Sequence, residues 1–84
     1  MAVATPGATP NPNALKFTLD RRLDSMINVA SAAEASDPFV QAVFAARGVA
    51  SVFGTADFVT VTRQADAPWD PIIEAVVAAA GNHL

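Results

Sequence analysis

His83 is the only histidine in the chain, and there is no cysteine. Together these facts exclude a nitrogen–sulfur metal centre and a thiolate-ligated iron–sulfur cluster. Carboxylates are the remaining candidates for metal chemistry. Asp66, Asp70 and Glu74 lie close in sequence, the last two at helical spacing. The plainer reading gives Asp70 a helix-capping role and places Glu74 in the favourable field of a helix start. Serine and threonine are plentiful, but only a carboxylate is available as the general base a nucleophilic hydroxyl needs. The four glycines are scattered, so no phosphate-cradling loop is present. His83 stands one residue from the end and reads as an inert surface side chain. The residues therefore point away from catalysis, metal binding and any bound cofactor.

Binding chemistry is better represented. Thr9-Pro10-Asn11-Pro12-Asn13 concentrates turn-forming residues ahead of a strand. The carboxamides of Asn11 and Asn13 can either close Asx turns on their own backbone or meet a partner. Lys16, between Leu15 and Phe17, should point away from the core. There its stem covers apolar surface or its ammonium contacts an acidic group. Phe58 has two readings: an aromatic on an open sheet face, suited to docking, or a residue packed at a sheet edge. Trp69, just ahead of the last helix, reads as a staple onto Ile73 or the Glu74 stem, or as an interface anchor. Asn11, Asn13, Lys16, Phe58 and Trp69 are the candidate partner-binding residues.

These side chains must be positioned by a small scaffold. At 84 residues the chain is one domain, 1–84; such a domain buries roughly 60–65% of its unfolded surface. Much of its apolar content is alanine. The core must therefore rest on Leu15, Phe17, Leu19, Phe39, Val43, Phe44, Val52, Val59, Val61, Ile73, Val76 and Val77. Eight acidic and five basic residues give a net charge of −3, which opposes nucleic-acid binding. The longest apolar run, Ala75 to Ala80, is far below the ~20 residues that span a bilayer. The first seven residues do not read as a signal peptide. A cytoplasmic monomer is the expectation.

Local patterns order the elements. Residues 1–8 suit a loose tail or an irregular first strand, and residues 82–84 should fray. Leu15, Phe17 and Leu19 alternate with Lys16 and Thr18, the period of a half-buried strand. Met26 to Val29 is a short β-prone run expected to pair with that strand as a hairpin. Ser31-Ala32-Ala33-Glu34 has capping-box spacing and suits a single helical turn. Asp37-Pro38 marks a helix over 38–47, closed by Gly48. Val49 to Phe53 and Phe58 to Arg63 read as strands joined by the four-residue link Gly54 to Asp57. Asp70-Pro71 starts a final helix with Ile72, Ile73, Val76, Val77 and Ala80 on its apolar face, ending at Gly81. The order ββαββα implies a two-layer α+β sandwich: a mainly antiparallel sheet with two helices on one face.

Two segments carry a family resemblance. Thr9-Pro10-Asn11-Pro12-Asn13-Ala14-Leu15-Lys16-Phe17 is the more specific. Gly48-Val49-Ala50-Ser51-Val52-Phe53, leading into Asp57-Phe58-Val59-Thr60-Val61-Thr62, is the second. The chain resembles the N-terminal domain of the Nfu/NifU scaffold proteins of iron–sulfur cluster assembly, over about residues 5–80. Relatives often carry an extra apolar residue before the glycine that here follows Phe53 directly. In the larger proteins a C-terminal domain with a Cys-x-x-Cys motif holds the cluster, and no residue of this chain inherits that role. The resemblance implies a stand-alone accessory domain that contacts an iron–sulfur scaffold or an apo target protein. Two alternatives are a peptide- or small-anion-binding module using Asn11, Asn13, Lys16 and Arg63, and a metal-binding protein using carboxylates alone.

Overall fold

The computed structural model describes residues 2–84; Met1, the first residue of the 1–8 stretch, lies outside the described residues. The strands are β1 (Ala4–Ala8), β2 (Ala14–Leu19), β3 (Ile27–Val29), β4 (Val49–Thr55) and β5 (Phe58–Arg63). The helices are α1 (Pro38–Phe44) and α2 (Trp69–His83), with a single 3-10 turn at Ala32–Glu34. All strand pairs are antiparallel and form one sheet in the order β1-β2-β5-β4-β3. The α+β class therefore stands, with five strands because the irregular N-terminal stretch is itself a strand. Pro6 and Gly7 fit it because β1 is an edge, where a missing N–H interrupts no inner ladder.

The short strand β3 departs from expectation. It pairs with β4, through Ile27 opposite Gly54 and Val29 opposite Val52, and not with β2. Both sides of β2 are taken: β1 forms the hairpin on one and β5 lies on the other. The link between β4 and β5 is also tighter than a four-residue loop. Strand pairing continues to Thr55 opposite Phe58, leaving Ala56 and Asp57 to turn, with Ala56 at φ 53°.

One face of the sheet is covered by both helices. Phe17, Val52, Val59 and Val61 meet Phe39, Val40 and Val43 of α1, with Ile72 and Val76 of α2, in a single buried cluster. Val40 and Ile72 are more central than Phe44 and Ile73, which pack at the rim as Leu15 does. Val77 is 42% exposed, so it is not a core residue. The buried stripe of α2 is Ile72, Val76, Ala79 and Ala80, a narrower helical face than the sequence pattern suggests.

Asp37 caps α1: its Oδ1 accepts from the Phe39 N–H at 2.8 Å, with Pro38 in the first turn. The helix ends at Phe44, earlier than expected, and the chain turns through Gly48 at φ 90°. Ser31 makes no side-chain cap, so the turn at Ala32–Glu34 forms without a capping box. α2 begins one residue before Asp70, behind an extended Pro68, and Asp70 is not its cap. Pro71 is tolerated there because the first four helix N–H groups lack intrahelical partners anyway. Gly81 does not end α2, which runs to His83 and so orders two of the three terminal residues. No helix among the described residues is long and apolar enough to cross a membrane.

Candidate functional site

The five candidate residues fall into two regions. The first is the connection between β1 and β2. Here the Asn13 N–H donates to Asn11 Oδ1 (2.9 Å), the Asx turn expected of Asn11. Thr9 Oγ1 donates toward Asn11 O and Ala14 O, both at 2.9 Å, and accepts from the Asn11 N–H at 3.1 Å. The Ala14 N–H closes the turn on Asn11 O (3.0 Å). The loop is folded on itself.

Arg63, at the end of β5, extends this tie across the molecule. Its backbone N–H donates to Asn13 O (2.8 Å), and its Nε donates to Asn13 Oδ1 (3.2 Å). Its Nη1 donates to Ala67 O (2.8 Å), and the guanidinium lies over the Trp69 ring, 5.2 Å from the centroid. Trp69 is half-buried at the core rim. Asn13 and Trp69 are thus joined through Arg63, and their visible work is structural. Arg63 as the link was missed because its partners lie fifty residues upstream and at the next helix start.

The second region is the sheet face opposite the helices. Strand register aligns Gly7, Lys16, Thr60, Phe53 and Asn28 in one row across all five strands. A second row aligns Thr5, Thr18, Phe58 and Thr55. Lys16 Nζ lies 4.5 Å from the centroid of the Phe58 ring. Phe53 and Phe58 are 6.5 Å apart between centroids and tilted by 48°. Phe53 is 39% exposed. Neither row contains an aspartate or glutamate, in a chain where acids outnumber bases. Among the described residues Lys16 enters no ion pair. An ammonium over the Phe58 ring, with Phe53 alongside that ring, is suited to an incoming carboxylate beside an apolar side chain. Of the two readings of Phe58, the open face is the one adopted. Phe53 was missed, although alternation from the buried Val52 places it outward.

The carboxylates are not gathered. Among the described residues no group of three His, Cys, Asp or Glu side chains could share an ion. Asp66 lies in the loop before α2 at φ 66°, and Asp70 and Glu74 are exposed on the helix.

Residues 5–84 match the profile of the family described as scaffold protein Nfu/NifU N terminal. The chain is 41% identical over 76 residues to NifU-like protein 5, mitochondrial, of Arabidopsis thaliana; the match covers 83% of this chain and 28% of that protein. It therefore spans about a quarter of that relative's length. The fold is similar to the crystal structure of protein SAV1430 from Staphylococcus aureus, with TM-score 0.78 and 25% identity, covering 92% of this chain and 96% of that one. The solution structure of SeR13 from Staphylococcus epidermidis is similar at TM-score 0.64 and 28% identity, over 90% of this chain and 91% of that one.

Proposed function

Since the chain belongs to the Nfu/NifU scaffold N-terminal family, we propose that it is a non-enzymatic interaction domain of iron–sulfur cluster assembly. It recognises a cysteine-bearing scaffold or apo target protein and does not ligate the cluster itself. The observation that carries this reading is the outer sheet face. It presents Phe53, Phe58 and a Lys16 that enters no ion pair among the described residues, in two cross-strand rows that contain no aspartate or glutamate. Aromatic anchors are what protein interfaces favour at their centres, while a lysine suits the polar rim. The Thr9–Asn13 loop flanks this face and holds the β1–β2 hairpin, so Asn11 and Asn13 shape the rim of the surface. Arg63, stacked on Trp69, braces that loop from the adjoining end of β5. With no cysteine in the chain, cluster chemistry would belong to the partner's thiolates. On this reading the domain acts as a cytoplasmic monomer, whose state sedimentation would check.

An amide NMR titration of the labelled domain with a cysteine-bearing Nfu-type scaffold, apo and cluster-loaded, tests the proposal. Shifts centred on Lys16, Phe53, Phe58 and Thr60 are expected. If neither form of the scaffold moves these amides at high concentration, the reading fails.

A further inference from the structure

None of the five strands contains an aspartate or glutamate, so all eight carboxylates of the chain lie off the sheet. The strands hold two cations, Lys16 and Arg63, and Arg63 is engaged with Asn13 and Ala67. Lys16, Phe58 and Phe53 stand on β2, β5 and β4, three neighbouring strands. Around them the outward positions are Thr18, Thr55, Thr60, Thr62 and Ser51. The outer face is thus a narrow aromatic strip that ends in one cation and is bordered by hydroxyls. All three strands beneath it are interior, each paired on both sides, so the face offers side chains and no main-chain partners.

We infer that the occupant of this face is an amphipathic helix of the partner protein. Its apolar side chains at i and i+4 lie over Phe53 and Phe58, and a carboxylate one turn further on meets Lys16. This names the partner segment of the proposed function and rests on that reading of the face. The backbone selects a helix. An extended segment laid here would bury N–H and C=O groups with nothing in the sheet to meet them, whereas a helix bonds its own. A partner sheet would pack on a broad apolar face, and here two rings stand among threonines and a serine. Spacing agrees: the ring centroids are 6.5 Å apart, and residues i and i+4 of a helix are separated by about 6 Å along its axis. Lys16 lies one strand beyond Phe58, about 4.8 Å, close to the rise of one further turn, about 5.4 Å. Charge selects the acid, because Lys16 enters no ion pair among the described residues and no carboxylate shares the sheet. A second copy of this chain fits less well: the outer side of its α2 exposes one large apolar side chain, Val77, and cannot cover both rings.

The probe is a peptide of about four helical turns, locked by a lactam bridge on its outer side. It carries leucine at i and i+4 and glutamate at i+7 in an alanine–glutamine background. It is titrated to millimolar concentration into the labelled domain. One control has the same composition in scrambled order; the other lacks the bridge and has proline at its centre, which prevents a helix. Expected are amide shifts at Lys16, Phe53, Phe58 and Thr60 with the bridged peptide, and binding at least about tenfold weaker for either control, as when interface anchors are lost. Glutamine in place of the peptide glutamate should weaken binding about two- to fivefold, the range of an exposed ion pair, and should change nothing against Lys16→Gln, the signature of a coupled pair. Absence of these shifts, equal binding of the scrambled peptide, or a glutamate effect that survives in Lys16→Gln would overturn the inference. So would equal or tighter binding of the proline peptide, which would assign the face to an extended segment, and concentration-dependent shifts without peptide, which would assign it to a second copy. A parallel titration with the cysteine-bearing scaffold separates this inference from the proposed function. If the scaffold moves these amides and the bridged peptide does not, the helix falls and the proposed function stands. If the peptide binds and neither form of the scaffold does, the helix stands and the iron–sulfur assignment falls.

Discussion

Two cations in this molecule lie over aromatic rings, and they do opposite things. The Arg63 guanidinium is 5.2 Å from the Trp69 ring centroid, and the Lys16 ammonium is 4.5 Å from that of Phe58. Arg63 also donates to Asn13 Oδ1 and to Ala67 O, so its fork is tied into two loops. Lys16 has the ring and, among the described residues, no ion-pair partner. A planar, multiply donating guanidinium suits a fixed joint, whereas a single ammonium on a flexible stem suits a contact still to be made. Geometry at an aromatic ring alone does not separate structure from recognition; the number of further partners does.

The joint around Arg63 should break hardest from beneath. Gly48 sits at φ 90°, and a Cβ there would lie 2.4 Å from the Ala67 Cβ, on the loop whose carbonyl Arg63 holds. Its carbonyl also accepts from the Gln64 N–H at 2.6 Å. Gly48→Ala is expected to cost about 2–3 kcal/mol through backbone strain and the clash. For a domain of this size that lowers Tm by roughly 10–20 °C; a shift within a few degrees would mean the loop yields freely. Arg63→Ala comes next, at about 2 kcal/mol in denaturant unfolding, from two charge-assisted hydrogen bonds and the ring contact. Arg63→Lys should recover less than half of it. If alanine costs under ~0.5 kcal/mol, typical of an ordinary surface site, the contrast with Lys16 collapses.

What the sequence reveals follows the same divide between local and distant. β2 and β5 are legible because their alternation is strict, and α1 because Asp37-Pro38 is a local start signal. β1 is legible only as one of two alternatives, an irregular first strand, since Pro6 and Gly7 obscure a strand that exists by pairing with β2. The placement of β3 beside β4 is hidden for a related reason. Three residues carry no register, and their partner is chosen by which edges remain free. The start of α2 was misread because a proline is allowed at several positions of the first turn. Lys16 and Phe58 could each be assigned to the outer face, but their contact depends on the β2–β5 register. Arg63 escaped notice as the link between Asn13 and Trp69 because fifty residues separate it from Asn13.

The sheet-face half of the comparison predicts a reversed balance, with small changes in stability and larger changes in binding. Phe58→Thr preserves strand propensity and removes a half-buried ring, so a loss of about 1 kcal/mol in stability is expected. On the proposed function, affinity for the scaffold should fall at least about tenfold, as for other buried aromatic anchors. Calorimetric titration checks this beside a melting curve. A large loss of stability with unchanged binding would move Phe58 into the structural class with Trp69.

Lys16→Gln should be the gentlest substitution for the fold and the most informative about the partner. An exposed cation over a ring contributes about 0.5–1 kcal/mol, and glutamine's chain still covers part of Phe58, so stability should change by ~0.5 kcal/mol or less. If a carboxylate of the partner meets the ammonium, the wild-type affinity falls as salt rises, because exposed charge pairs are screened within about 10 Å at moderate ionic strength. Lys16→Gln should then bind more weakly at low salt and lose that salt dependence, while Lys16→Arg should keep it. Equal salt dependence in wild type and Lys16→Gln would mean that Lys16 only shields the ring, leaving Phe53 and Phe58 to carry recognition.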